Sequence, residues 1–167
     1  MPTVTLVRHG STDFNGSGRL RGWMDPPLNA VGRQEVAALK VPRGTLYCSD
    51  LLRAQQTAGI LGECVWRVSA LRPWNVGIFA GQPHSKVGER LNWLTRNPTV
   101  PCPFGETYKQ FADRFLDFVR GLKEDSVLVT HFRNVKLLLA WDGGNGWDTE
   151  KLLDGDLLTG CVHSRSI

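Results

Sequence analysis

The chain has 167 residues, 41% hydrophobic and 22% charged, with a formal net charge of +4. These values describe one globular domain over residues 1–167 with a substantial core, and exclude a disordered, fibrous or membrane-embedded chain. Because no run of five or more basic residues accompanies the charge, no nucleic-acid partner is expected, and the excess fits either a solvated surface or attraction for small phosphorylated molecules.

The first segment, Val4-Thr5-Leu6-Val7, is β-branched and apolar on both faces, as in a strand buried between two helical layers, and it ends at Arg8-His9-Gly10. Over 27–40, Leu28, Val31, Val36 and Leu39 with Asn29 near the start predict a capped amphipathic helix. Thr45-Leu46-Tyr47-Cys48 predicts a second short strand. Ser49-Asp50 then supplies N-cap chemistry for a helix over 51–62 whose Leu52, Thr57, Ile60 and Leu61 turn inward. A third strand is expected over 64–68, followed by an irregular, functional stretch over 73–83 that is punctuated by Pro and Gly.

The clearest helical period covers 106–122, where Tyr108, Phe111, Phe115, Phe118 and Leu122 recur at three- and four-residue steps as a core stripe. Ser126-Val127-Leu128-Val129-Thr130 predicts a fourth buried strand ending at His131, with a helix over 135–141 after it. The tail over 157–167 is either an edge strand or loosely ordered. Alternation of apolar strands and helices predicts an α/β fold, a mostly parallel sheet covered on both faces in three α/β/α layers. In such sheets ligands bind beyond the carboxyl ends of the strands.

Arg8-His9 after the first strand, Arg53 on the helix after the second, and His131 after the fourth all fall at that edge. Two histidines and two arginine forks converging there match a phosphate dianion, and backbone donors of loop 10–15 add to the cradle. Each residue alone has an ordinary reading: a salt-bridged turn for Arg8-His9, a surface helix arginine for Arg53, a strand-end histidine for His131, a turn residue for Asn15. His84 and His163 match no motif and are read as ordinary histidines.

Several segments in order resemble the histidine phosphatase superfamily, which includes the cofactor-dependent phosphoglycerate mutases. Arg8-His9-Gly10-Ser11-Thr12-Asp13-Phe14-Asn15 is similar to its R-H-G-x-T-x-x-N signature. Gly22 with Asp25-Pro26-Pro27-Leu28, the stretch from Ser49 to Ala58, Pro103-Phe104-Gly105-Glu106-Thr107, and Val129-Thr130-His131 resemble the motifs that follow. The similarity covers residues 3–140. It implies a phosphoglycerate mutase-like fold, His9 as nucleophile, His131 in the catalytic centre, and Arg8, Asn15 and Arg53 as ligands of the transferred phosphoryl group. It also implies that a protonated His131 and the arginines hold the equatorial oxygens, with no metal or other cofactor required.

One element departs from the family pattern. Members that cleave phosphate esters usually carry L-x-E followed by G-x-x-x-G, with the glutamate as general acid, whereas Leu71-Arg72-Pro73 precedes Gly77 and Gly81 here. Proline cannot donate a proton. Either the substrate has a good leaving group, such as a phosphoanhydride, acyl phosphate or phosphohistidine, or another carboxylate, Asp13 or Glu106, has taken the role. Phe132 after the second histidine is read as a helix-entry core residue in preference to one that reshapes the pocket, and Arg133 as either a surface charge or a contact for a second anionic group.

The resulting expectation is a metal-independent phosphatase that acts through phosphohistidine on a small phosphorylated metabolite or a phosphoprotein. A phosphate-binding pseudoenzyme and mutase-type phosphoryl transfer are the alternatives. Cys48, Cys64, Cys102 and Cys161 lie far apart without a C-x-x-C pair and are expected as free thiols. No signal-like segment follows Met1, and the longest apolar runs fall far short of the about 20 residues that span a bilayer, so a cytoplasmic protein without a membrane partner is expected.

Overall fold

The computed structural model describes residues 1–63 and 65–167. Its sheet contains β1 (Thr3–Arg8), β2 (Thr45–Cys48), β3 (Val65–Arg67), β4 (Ser126–Thr130) and β5 (Val162–Ser166), in the order β3-β2-β4-β1-β5. The first four run parallel, with Val7 opposite Val129 and Cys48 opposite the same residue from the other side. The edge strand β5 runs antiparallel to β1, pairing Leu6 with His163. Parallelism brings the carboxyl ends of β1 and β4, and with them His9 and His131, to one edge of the sheet side by side.

Alternation along the central strands separates two cores. Val4, Leu6 and Leu128 face a large cluster that includes Leu91, Leu94, Phe111, Phe115, Leu137 and Leu138. Val7, Val127 and Val129 face a smaller one with Ala54 and Ala58. Helices α1 (Ala30–Ala37) and α2 (Leu52–Leu61) belong to the second side, while α3 (His84–Arg96), α4 (Tyr108–Gly121) and α5 (Phe132–Ala140) cover the first, with the short α6 (Thr149–Leu153) against α5. This is the expected three-layer sandwich, and every residue of β4 is buried, as its unbroken apolar pattern requires.

Asn29 caps α1 by accepting from the Gly32 N–H at 2.8 Å, and Thr107 and Gln110 form a full capping box on α4. The expected inward face of the second helix is corrected. Thr57 is buried and Leu61 packs against the smaller core as expected, but Leu52 and Ile60 are exposed and Arg53, Ala54 and Ala58 are buried in their place, because the helix turns Arg53 toward the sheet edge. Neither Ser49 nor Asp50 caps this helix with its side chain; the Asp25 carboxylate, from a distant loop, accepts from the Leu52 N–H at 2.6 Å. Val31 in α1 is likewise exposed.

The third strand covers Val65–Arg67, and the expectation for Cys64 lies outside the described residues. Residues 73–83 are irregular apart from one 3-10 turn at Gly77–Phe79. Helices α3 and α6 were not anticipated. Cys48, Cys102 and Cys161 are free thiols. Among the described residues no helix is long and apolar enough to cross a membrane.

Candidate active site

The chain leaves β1 through Arg8 and turns at His9, whose backbone N–H donates to the Thr130 carbonyl of β4 at 3.0 Å. Gly10 then passes so close to α1 that an added Cβ would lie 2.5 Å from the Gly32 carbonyl oxygen, while a Cβ on Gly32 would lie 2.2 Å from that of Ser11. The pair of glycines lets the loop lie against the first turn of α1. Four of the six backbone donors of loop 10–15, expected to help cradle an anion, are already used within the fold. The Gly10 N–H donates to Thr57 Oγ1, that of Ser11 to Glu35 Oε2, and those of Thr12 and Asn15 bond within the loop.

The His9 ring is fully buried, and its Nδ1 lies 2.7 Å from the Gly10 carbonyl oxygen. A carbonyl only accepts, so Nδ1 carries the proton and Nε2 presents a lone pair. That lone pair receives the Arg53 Nε–H at 3.3 Å. Burial first, and then the charges of Arg53, Arg21 and Arg8, hold the His9 pKa well below the usual imidazole value. Neutral His9 with a defined tautomer has the protonation state of a nucleophile.

His131 follows β4 and begins α5, with its ring centroid 5.3 Å from that of His9. It is also buried, and both ring nitrogens lack a hydrogen-bond partner, as does Arg8 Nε. Orphaned buried nitrogens are rare, and these share the walls of one cavity, which marks an anionic ligand site. Burial, then Arg53 and His9, hold the His131 pKa well below its ordinary value in the protein alone. An anion beside it would draw a proton onto the ring.

Arg53 is anchored through its fork, donating to the Met24 carbonyl at 2.7 Å and the Gly22 carbonyl at 3.1 Å. Gly22 reaches this position at φ +50. Arg8 donates to the Leu157 carbonyl, and its guanidinium lies 5.2 Å from the Phe132 ring centroid, so Phe132 lines the cavity instead of the core. Asn15 does not line it: Asn15 Oδ1 accepts from the Thr12 N–H and from Thr12 Oγ1, both at 2.9 Å, and ties the loop together.

The cavity, about 410 Å³, is walled by five arginines, Arg8, Arg19, Arg21, Arg53 and Arg133, and by His9, His84 and His131. Arg133 therefore faces the cavity, and His84, which matches no motif, joins the same wall. Arg21 belongs to none of the motifs above; its trace in the chain is the Arg19-Leu20-Arg21-Gly22 run. Burial and then Arg8 push the Arg21 pKa down to about 10, and burial with Arg21 pushes Arg53 down to about 9. Cations held this way in a poorly solvated wall favour any anion placed among them.

Neither candidate proton donor lines the cavity. Asp13 Oδ1 accepts from Asn29 Nδ2 at 3.2 Å. Glu106 forms a forked ion pair with Arg114, at 2.6 and 3.2 Å, and accepts the Asn75 N–H at 2.9 Å. Arg114 also donates to the carbonyls of Ala70, Arg72 and Pro73, so the pair fastens the segment that carries Pro73 to α4. Pro73 itself lines the cavity, its carbonyl turned away to Arg114 and to Trp23 Nε1. Among the described residues the one carboxylate in the wall is Asp156, exposed in the loop after α6.

The chain is 29% identical over 150 residues to a metal-independent phosphoserine phosphatase of Arabidopsis thaliana, covering 77% of this chain and 63% of the plant protein, slightly less than two-thirds of its length. It is 35% identical over 150 residues to the probable phosphoglycerate mutase GpmB of Escherichia coli, covering 78% of this chain and 70% of that protein. The phosphoglycerate mutase structure from Thermus thermophilus superposes with a TM-score of 0.82 at 33% identity, over 97% of this chain and 91% of the other. Residues 4–161 match the family described as the histidine phosphatase superfamily (branch 1), and the chain belongs to that superfamily.

Proposed function

We propose that the protein is a phosphatase that transfers a phosphoryl group from a small phosphorylated substrate to His9 Nε2 and then to water. The observation that carries this reading is the buried His9–His131 pair, with the Nε2 lone pair of one ring met only by the Arg53 Nε–H and two partnerless nitrogens on the other, under a canopy of arginines. Nε2 attacks phosphorus, the P–N bond forms, and the bond to the leaving oxygen breaks with its electron pair. Arg8, Arg53 and His131 meet the equatorial oxygens, where charge accumulates in a loose phosphoryl-transfer transition state. Water then attacks the phosphohistidine, restoring the neutral ring and releasing inorganic phosphate.

Asn15 serves this site by holding loop 10–15 in place. The free, buried thiols of Cys48 and Cys102 accord with a cytoplasmic location. Phosphate release from p-nitrophenyl phosphate and acetyl phosphate, with EDTA present and with His9→Ala beside the wild type, tests the assignment. Turnover that survives chelation and vanishes in His9→Ala supports it. Equal rates for the two proteins sink it and leave a phosphate-binding pseudoenzyme. Transfer of phosphate between positions of a phosphoglycerate, without net release, would favour the mutase reading.

A further inference from the structure

The cavity holds more positive charge than one phosphoryl group needs. Arg133 follows the second histidine by two positions and lines the wall formed by Pro73 and Trp74, its guanidinium 5.1 Å from the Trp74 ring centroid. Among the described residues its guanidinium has no hydrogen-bond or ion-pair partner, and that of Arg21 has none either. Arg21 lies with the group around His9, whose proton affinity it lowers. Arg133 belongs to a second pole beside the Trp74 indole. A planar cation stacked on an aromatic face with its donors unused is prepared for a planar or tetrahedral oxyanion.

The stretch of wall formed by Pro73 and Trp74, where the usual acid would stand, has no proton donor of the kind an ester needs, and His84 lines the cavity from the start of α3. Pro73 and Trp74 offer none to a leaving oxygen, since the Trp74 Nε1–H is spent on the Glu106 carbonyl at 3.0 Å. The single carboxylate, Asp156, is exposed, and its Oδ1 accepts the Leu157 N–H at 2.8 Å. An alkoxide is a leaving group of roughly the basicity of hydroxide and departs readily only when a proton reaches it. A departing phosphate takes its second proton with a pKa of about 6, and leaves as an anion without being protonated.

We infer that the substrate is a phosphoanhydride: His9 takes the terminal phosphoryl group of a diphosphate, and Arg133 receives the departing phosphate. This rests on the phosphatase reading above and adds the substrate class. The P–N bond to His9 forms as the bond from terminal phosphorus to the bridging oxygen breaks. The electron pair stays on that oxygen, which becomes a terminal oxygen of the departing phosphate, and charge held by Arg133 replaces the proton that an acid would give. Water then splits the phosphohistidine, and its proton leaves with the products.

Four substrates separate the two components of the inference. Methyl diphosphate has both a good leaving group and a second anion; acetyl phosphate has only the first, 2-phosphoglycerate only the second, and methyl phosphate neither. For the wild type, kcat/KM for methyl diphosphate should exceed that for methyl phosphate by at least ~10²-fold, the lower range of what general acid catalysis supplies. Arg133→Gln should lower the ratio of methyl diphosphate to acetyl phosphate turnover at least ten-fold, and Arg133→Lys should restore only part of it. An unchanged ratio in Arg133→Gln overturns the second pole. Methyl phosphate or 2-phosphoglycerate within ten-fold of methyl diphosphate overturns the anhydride class. If that ester turnover is lost in His84→Gln or Asp156→Asn, the missing acid is thereby located.

A binding measurement on the unaltered protein stands apart from the variants. Methylenediphosphonate should bind at least ten-fold more tightly than methylphosphonate, and equal affinities overturn the proposal. No turnover of any substrate above His9→Ala, by contrast, takes down the phosphatase reading itself and the substrate class with it.

Discussion

Arg53 directs its Nε–H at the Nε2 lone pair of His9 from 3.3 Å while its fork is pinned to the carbonyls of Met24 and Gly22. In the proposed reaction this contact fixes the His9 ring, and the Arg53 Nε–H passes from the lone pair to a phosphoryl oxygen as Nε2 attacks. Arg53→Lys keeps a positive charge and loses the planar geometry. It should slow phosphohistidine formation by roughly 10²-fold, the scale seen when one transition-state donor is removed. Rapid-quench trapping of the acid-labile phosphoenzyme measures this, and a burst rate equal to wild type would contradict the role.

The buried histidine pair has a pH signature with a defined sign. Both pKa values are lowered well below that of a free imidazole, chiefly by desolvation. Below about pH 6.5 the unfolded chain takes up protons at these positions that the folded protein refuses, so stability falls as pH drops through and below that value. Chemical denaturation at pH 7.5, 6 and 5 should show the loss, and its slope should shrink in His131→Gln. The nucleophile also stays neutral in acid, so kcat/KM, corrected for substrate ionisation, should not decline near pH 6.5.

The close pass between loop and helix makes a second structural claim testable. A methyl group on Gly32 would meet the Ser11 carbonyl oxygen at 2.2 Å, and a backbone atom cannot swing aside. Gly32→Ala should cost about 1–3 kcal/mol, as overpacking does, and should depress activity beyond the stability loss because the displaced loop carries His9. Thermal unfolding beside kcat measured well below Tm separates the two effects.

Glu106 offers a contrast between motif and role. Its carboxylate is taken by Arg114, which holds the carbonyls of residues 70, 72 and 73 in the same grip. Glu106→Gln should lower stability by about 3 kcal/mol, the scale for stranding one partner of a largely buried pair. The pH profile of kcat/KM at a permissive temperature should keep its shape. Loss of the alkaline limb in this variant would identify Glu106 as the proton donor after all.

Much of this arrangement was legible in the chain itself. Strands β1, β2 and β4 announced themselves as short apolar runs, because a strand buried on both faces has no polar side to alternate with. The histidines that end β1 and β4, and the Arg53 between them, followed from position along the chain once the sheet was taken as parallel. The aromatic stripe of α4 was equally plain, since a period of three and four residues survives any tertiary setting.

Other features depend on contacts between distant residues and left weaker traces. Leu52 and Ile60 fit an apolar helix stripe with Thr57, yet α2 buries Arg53 beside Thr57 and leaves the two apolar residues exposed, because the charge network at the sheet edge dictates the rotation of the helix. Glu106 and Asp13 were equivalent to Pro73's missing carboxylate on paper; their partners, Arg114 and Asn29, exist only in the folded chain. Arg133, Arg21 and His84 come from three separate segments and meet only across the cavity. Residue types along the chain determined that a phosphoryl group could be bound at His9. Tertiary packing decided which charges face that group, since burial turns a scattered set of arginines into one electrostatic field.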